Sequence, residues 1–258
     1  MSGLVNPLRR LWSKGRCGAN GWIACPSILS AEALAVAGWD SITVDLQHGT
    51  ADYAALLTLL PVIERSGAAA LVRVPWLDEA SIMRALDAGA LGIIAPMIET
   101  AADAQRLVKA CLYAPDGARS FGPVRARLIF GDGYWQAANR EILPLAMIET
   151  RAAMENLDAI AATPGLAGLY IGPADLALAH GFPPGFDRQE PEMVAKLERV
   201  RLACNTNGIA ACIHCGDAAY AVRMAAAGFN LTTIGSDARF IEAGARSAIT
   251  RFRDDRDP

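Results

Sequence analysis

Two stretches, Pro144-Leu145-Ala146-Met147-Ile148-Glu149-Thr150 and Gly168-Leu169-Tyr170-Ile171-Gly172-Pro173-Ala174-Asp175-Leu176, carry the reading of the whole chain. Each is a short apolar run that stops in a carboxylate. Leu145 to Ile148 has strand length and closes on Glu149; Leu166 to Ile171 is a second such run, turned by Gly172 and Pro173 and closing on Asp175. The segment between them, Arg151 to Ala162, has helix composition, so the unit reads as β-α-β. Adjacent parallel strands lie about 4.8 Å apart, which puts Glu149 and Asp175 at one rim of one sheet, within reach of a single ion. The pair is a candidate metal site.

Outward from this unit the same alternation recurs. Apolar strand candidates are Gly21–Cys25, Ser41–Asp45, Ala70–Val74, Gly92–Pro96, Leu143–Ile148, Ala167–Ile171, Ile209–Ile213 and Leu231–Gly235. Helical spacing fills most of the gaps, at Ala31–Ala37, Tyr53–Ser66, Glu79–Ala88, Ala102–Cys111, Arg151–Ala162, Glu192–Asn205 and Asp217–Ala227. Eight strands with intervening helices in 258 residues predict a single α/β domain, a (β/α)8 TIM barrel over residues 1–258, with 1–18 as an N-terminal extension and 236–258 as a C-terminal helix and tail.

Composition narrows the partners. With 53% hydrophobic and 20% charged residues the chain builds one large core, and a net charge of -3 with a pI near 5.7 supplies no basic field for nucleic acid or an anionic membrane. The expected ligand is a small molecule. The first 18 residues carry Arg9, Arg10, Lys14 and Arg16 without the apolar core of a signal peptide. No run reaches the ~20 residues of a membrane span, so a cytoplasmic protein is expected. Six scattered cysteines in a chain of this size read as reduced thiols, and Cys212-Ile213-His214-Cys215, a lone C-x-x-C without a second ligand pair, reads as packed thiols rather than zinc.

Two features interrupt the alternation. Between Cys111 and Leu143 lies a long Gly-, Pro- and Arg-rich stretch with no strong period, expected as a lid over the barrel mouth or as a subunit contact. Ala95-Pro96-Met97-Ile98-Glu99-Thr100 echoes Leu145 to Thr150, which makes Glu99 a rival to Glu149 as a ligand.

In a barrel the informative positions are the C-terminal ends of strands. Here they hold Asp45 and His48, Arg73, Glu149 and Asp175. An always-charged guanidinium in an apolar strand must meet an anion, either a ligand or an acid of the barrel. Asp45, three residues before His48, is placed to fix the imidazole tautomer of a general acid/base, or else to cap its own loop. Gly172-Pro173-Ala174-Asp175 opens a helix and exposes backbone N–H groups suited to a carboxylate or phosphate, unless Asp175 is merely the cap. Ile234-Gly235-Ser236-Asp237 offers a weaker signal of the same kind. The remaining histidines, His180 and His214, have no such partner in sequence.

The only lysines, Lys14, Lys109 and Lys196, lie at no strand end, so Schiff-base chemistry has no nucleophile. Oxygen-only ligands favour a hard cation such as Mg²⁺ or Mn²⁺. A metal, an arginine, an Asp/His pair and free amides suit a 2-oxo acid chelated through its carboxylate and keto oxygen.

Val44-Asp45-Leu46-Gln47-His48-Gly49, Arg73-Val74-Pro75-Trp76, Ile148-Glu149-Thr150 and Tyr170 to Leu176 together resemble the HpcH/HpaI aldolase family of metal-dependent pyruvate aldolases, typified by 4-hydroxy-2-oxoheptanedioate aldolase. The match is in order and spans nearly the whole barrel. The resemblance implies reversible cleavage of 4-hydroxy-2-oxo acids to pyruvate, or a related 2-oxo acid such as hydroxypyruvate, plus an aldehyde, with Mg²⁺, Mn²⁺ or Co²⁺ as cofactor. It implies Glu149 and Asp175 as metal ligands, with Glu99 excluded, Arg73 as enolate stabiliser, His48 with Asp45 as acid/base pair, and the Ala174 N–H, in the turn of Gly172 and Pro173, as carboxylate holder. Asp87 resembles a family acid that supports the histidine at a subunit contact. A homohexamer is implied, its C-terminal helix after Ser236 packed on a neighbouring subunit. Trp22, Met147 and Cys212 complete the expected substrate contacts. Met147 stands where many members have Gln two residues before the metal-binding Glu, which bears on the choice of donor. The rival readings are a citrate-lyase-like acyl-CoA lyase on a similar barrel and a non-catalytic 2-oxo acid binding protein.

Overall fold

A computed structural model of the protein describes residues 3–256. Eight strands, β1 (Gly18–Ile23), β2 (Ser41–Asp45), β3 (Ala69–Arg73), β4 (Gly92–Ala95), β5 (Leu143–Ile148), β6 (Gly168–Ile171), β7 (Ala210–His214) and β8 (Leu231–Ser236), close into a barrel in sequence order. Every neighbouring pair is parallel. The (β/α)8 architecture follows from the pattern: each strand is a nearly unbroken buried run, as a strand covered on both faces must be. No helix among the described residues is long and apolar enough to cross a membrane.

Three departures from the expected elements stand out. β1 begins at Gly18 rather than Gly21, because polar Asn20 is buried inside the barrel. There its amide meets the hydroxyls of Ser41 at 2.7 Å, Thr43 at 3.1 Å and Thr233 at 2.7 Å. Arg151 to Ala162 is two short helices, Arg151–Glu155 and Leu157–Ala161, parted at Asn156, whose side chain donates to the Glu99 carbonyl at 2.9 Å. β7 ends one residue later than expected, on His214.

The stretch from Cys111 to Leu143 is neither structureless nor a lid. It holds the helices Val124–Phe130 and Tyr134–Glu141. It follows the helix Ala101–Cys111, which carries the chain back from the C-terminal ends of the strands, and leads directly into the start of β5. It therefore lies at the opposite, N-terminal face. Its contacts agree: Arg119 binds Asp87 at the end of the helix Glu79–Asp87, and Arg125 binds Glu64 near the end of the helix Tyr53–Ser66. The N-terminal extension closes the same face with a helix, Pro7–Trp12. Asn6 donates to the carbonyls of Leu91 and Glu141, and Trp12 donates to that of Asn230.

Candidate active site

The ends of β1, β2, β3, β5, β6, β7 and β8 surround a cavity of about 300 Å³ lined by Trp22, Ala24, Asp45, His48, Arg73, Met147, Glu149, the turn Gly172 to Asp175, Phe186, His214, Ser236 and Arg239. Most residues singled out in the sequence meet here. Glu149 immediately follows β5 and is 3% exposed, and its Oε1 accepts from the Met97 N–H at 2.8 Å. Met97 has φ of 55°, a left-handed conformation uncommon for a side-chain-bearing residue, and that turn aims its N–H at the carboxylate. This resolves the sequence echo. β4 stops at Ala95, so Glu99 sits four residues beyond its strand and does not line the cavity, whereas Glu149 sits directly at the end of its own.

Asp175 lies in the first turn of the helix Pro173–Ala179, whose N-cap is Gly172 without a side-chain cap bond. Its carboxylate is therefore not spent as a cap. Gly172 is required by close approach: a Cβ there would sit 2.4 Å from Oε2 of Glu149 and 2.9 Å from Cε of Met147. Burial, with the neighbouring charge of Asp175 added and the Met97 N–H opposing, pushes the Glu149 pKa up to about 7. Two facing acids without an arginine or lysine ion pair, among the described residues, fit a divalent cation. No third His, Cys, Asp or Glu joins them among the described residues, so protein ligands would number two and the rest would come from water or substrate.

Arg73 meets its anion inside the chain. Nε and Nη2 donate to Oδ1 and Oδ2 of Asp45 at 2.8 and 2.6 Å, and the guanidinium lies 4.9 Å from the Trp22 ring. Asp45 also accepts from the Trp22 indole at 3.2 Å and from the backbone N–H of Gln47 at 3.0 Å and of His48 at 3.3 Å. Burial works to raise its pKa, but the bonds and charge of Arg73 with the other donors outweigh it, and the carboxyl sits below its ordinary range. This departs from the expected dyad: Asp45 holds the loop carrying His48 through the backbone, and its carboxylate faces Arg73 rather than the imidazole. His48 itself is exposed at the mouth.

Two expected residues lie elsewhere. Cys212 is fully buried and does not line the cavity, and burial holds its thiol well above the ordinary range. Asp87 is at the opposite face of this chain, bound to Arg119 at 2.6 Å. Conversely, His214, Phe186 and Arg239 line the cavity although nothing in their local sequence marks them as pocket residues, and Ser236 joins them from the turn Ile234 to Asp237. His214 packs edge-on to Trp22 and stacked on Phe186, with ring centroids 4.9 and 4.8 Å apart, and its Nδ1 lies 3.4 Å from the Tyr170 hydroxyl. Burial, then the charge of Arg73, pushes its pKa down to about 3, so it is neutral at physiological pH.

Residues 21–243 match the family model for HpcH/HpaI aldolase/citrate lyase. The chain belongs to that family. Among curated relatives, it is 41% identical over 249 residues to the hydroxypyruvate/pyruvate aldolase of Rhizorhabdus wittichii, covering 96% of this chain and 99% of that one. It is 32% identical to the 4-hydroxy-2-oxo-heptane-1,7-dioate aldolase of Escherichia coli, covering 96% and 95%. Among solved structures, an HpcH/HpaI aldolase/citrate lyase family protein of Burkholderia cenocepacia superposes with a TM-score of 0.87 at 31% identity, covering 95% of this chain and 98% of that one. Membership in the family spans the strands that carry every lining residue of the cavity, since all of them fall within residues 21–243.

Proposed function

We propose that the protein is a divalent-metal-dependent aldehyde-lyase that cleaves 4-hydroxy-2-oxo acids to pyruvate or hydroxypyruvate plus an aldehyde. The observation that carries the reading is the buried Glu149 facing Asp175 in a cavity that also holds Arg73. When bound by these two carboxylates, Mg²⁺, Mn²⁺ or Co²⁺ would polarise the 2-oxo acid as a Lewis acid. The Ala174 N–H, near the start of its helix, would orient the donor carboxylate. In cleavage, the C4 hydroxyl gives its proton to a base, the C3–C4 bond breaks, and the electron pair passes to an enolate that takes a proton at C3. Arg73 keeps Nε and Nη2 on Asp45, so Nη1 is the nitrogen left to face that developing charge. His48, exposed at the mouth, serves as the mobile acid/base. Asp45 holds both groups in register.

The names of the related aldolases agree with this donor class. We further place the protein as a cytoplasmic homohexamer in which the C-terminal helix and Asp87 meet a neighbouring chain. The helix Asp237–Arg256 leaves Ile241, Ile249 and Phe252 exposed along its length, which supports a covered apolar face. Sedimentation would report the assembly.

The test is an aldol assay with pyruvate and hydroxypyruvate against several aldehydes, with and without Mg²⁺, Mn²⁺ and Co²⁺, and a parallel arm with malyl-CoA. Metal-dependent turnover of free oxo acids is expected. Turnover of the thioester alone would replace this reading with an acyl-CoA lyase, and ligand binding without turnover would leave a binding protein. Borohydride with pyruvate should leave the enzyme unmodified, because no lysine lines the cavity.

A further inference from the structure

The cavity has a second wall that donor chemistry does not use. Phe186, His214, Ser236 and Arg239 come from three separate segments, and their rings and charge form a continuous surface: Phe186 stacks on His214, and the Arg239 guanidinium lies 5.1 Å from the Phe186 ring. Phe186 is held there by its neighbour. Asp187 adopts φ of 53° and accepts from the Gly216 N–H at 2.7 Å, which ties this segment to the end of β7.

Arg239 differs from Arg73 in having no carboxylate partner. It forms no salt bridge among the described residues, and its guanidinium packs against the Phe186 ring. The acids beside it are otherwise engaged. Asp237 is buried and accepts from the N–H groups of Ala24, Cys25 and Ala238 and from the Ser30 hydroxyl. Asp187 is bound to Gly216 and acts on Arg239 only through its more distant charge. The amides of this turn are also in use: that of Ala238 goes to Asp237, and that of Arg239 to Oγ of Ser236 at 3.4 Å. What the turn offers a ligand is therefore the guanidinium fork, with the Ser236 O–H free to donate beside it, rather than the bare N–H groups expected from Ile234 to Asp237. A planar fork suits a carboxylate or phosphate.

We propose that Arg239, with Ser236, determines acceptor specificity by binding a terminal carboxylate or phosphate on the aldehyde partner. The inference rests on the aldolase reading, which assigns the donor to the opposite wall of Glu149, Asp175, Arg73 and Ala174. A cavity of about 300 Å³ lies at the small end of ligand sites, and donor and acceptor share it, so the aldehyde is short. Phe186 covers its carbon chain. The neutral His214 ring, whose Nδ1 faces Tyr170, is left a hydrogen-bonding group for a hydroxyl along that chain.

The experiment measures kcat/KM for addition of pyruvate, with Mn²⁺ present, to two matched pairs: succinate semialdehyde against butanal, and glyceraldehyde 3-phosphate against glyceraldehyde. Wild type should favour at least one anionic member by about 10- to 100-fold, the scale of a charge-assisted hydrogen bond, and the favoured pair tells carboxylate from phosphate. In Arg239→Gln that ratio should fall toward one, and Arg239→Lys should keep part of it. Glycerol 3-phosphate or succinate, matching the favoured anion, should compete with the aldehyde in wild type and lose that competition in Arg239→Gln. Arg239 is exposed, so both variants should fold. No anionic preference in wild type, an equal loss with both members of a pair, or a raised KM for pyruvate would overturn the proposal while leaving the aldolase intact. Failure of wild type with all four aldehydes would remove the aldolase reading and the proposal together.

Discussion

Two arginine–aspartate pairs sit at opposite ends of this barrel. At the C-terminal rim Arg73 binds Asp45 beside Trp22; at the N-terminal face Arg119 binds Asp87, with its guanidinium 4.5 Å from the Tyr113 ring and Nη1 donating to the Tyr134 hydroxyl at 3.0 Å. Residue types, bond lengths and aromatic neighbours are nearly the same. The difference is what surrounds them. Arg73 faces a cavity with two further acids, whereas the Arg119 side chain is 0% exposed and pins the helical insertion between β4 and β5 to the barrel floor. An ion pair therefore reveals little about function until its place is known, because only the rim leaves room for a ligand.

The largest effect expected at the rim comes from its acids. Glu149→Ala should abolish metal binding, read by calorimetry, and turnover with it; full activity in metal-free protein would remove the distinction between the two ends. Because burial raises the Glu149 pKa to about 7, its proton competes with the cation. Affinity for Mn²⁺ should weaken by up to tenfold per pH unit below about 7 and level off above it.

Arg73→Ala should lower kcat by about 10²–10³, on the scale of an oxyanion donor, with little rescue by Arg73→Lys because an ammonium cannot hold Asp45 bidentately and face a ligand as well. Arg119→Ala, in contrast, should cost about 3–5 kcal/mol of stability, the range for breaking a buried pair. It should leave kcat of the folded fraction within a fewfold of wild type. Asp87→Asn sharpens the comparison. If Asp87 also completes a neighbouring chain's site, kcat should fall without a matching loss of Tm; a loss of Tm alone would make the floor pair purely structural.

His214 separates the ends by pH. Its folded pKa of about 3 lies below its ordinary value near 6.5, so the unfolded chain binds the extra proton between those values. The stability this group contributes is fully present above about pH 6.5 and is lost as pH falls toward 3. Denaturant titrations of His214→Phe should show a shallower loss over that window, by up to one proton. The smallest effect is expected from Met147, whose flexible thioether lines the cavity beside Gly172, where a Gln could hydrogen-bond the proposed donor. Wild type should accept hydroxypyruvate beside pyruvate, and Met147→Gln should change the ratio of kcat/KM for the two donors. An unchanged ratio would make Met147 packing only.

Local pattern was enough for the barrel and for the acids of β5 and β6, because an apolar run of strand length that stops in a carboxylate says both where the strand ends and what it presents. It was not enough wherever a side chain's partner comes from a distant segment. Arg73 announced that it needed an anion, yet Asp45 and His48 are close in sequence and suggested each other, while the geometry pairs Asp45 with Arg73 across two strands. His214 has no acidic partner nearby in sequence, unlike His48; alternation from Cys212, which sends both side chains to the same side of the strand, is the one local signal that marks it. The insertion after Cys111 looked like a lid from its length and glycine content, but strand polarity sends any segment that precedes a strand to the floor. The sequence by itself determined the barrel, the two carboxylates at its rim and the absence of a lysine at any strand end, since these rest on residue type and period. Only the tertiary structure decided which arginine is neutralised, which acid is satisfied, and that Phe186, His214 and Arg239 share one wall, because burial and pairing belong to the closed barrel rather than to any one segment of it.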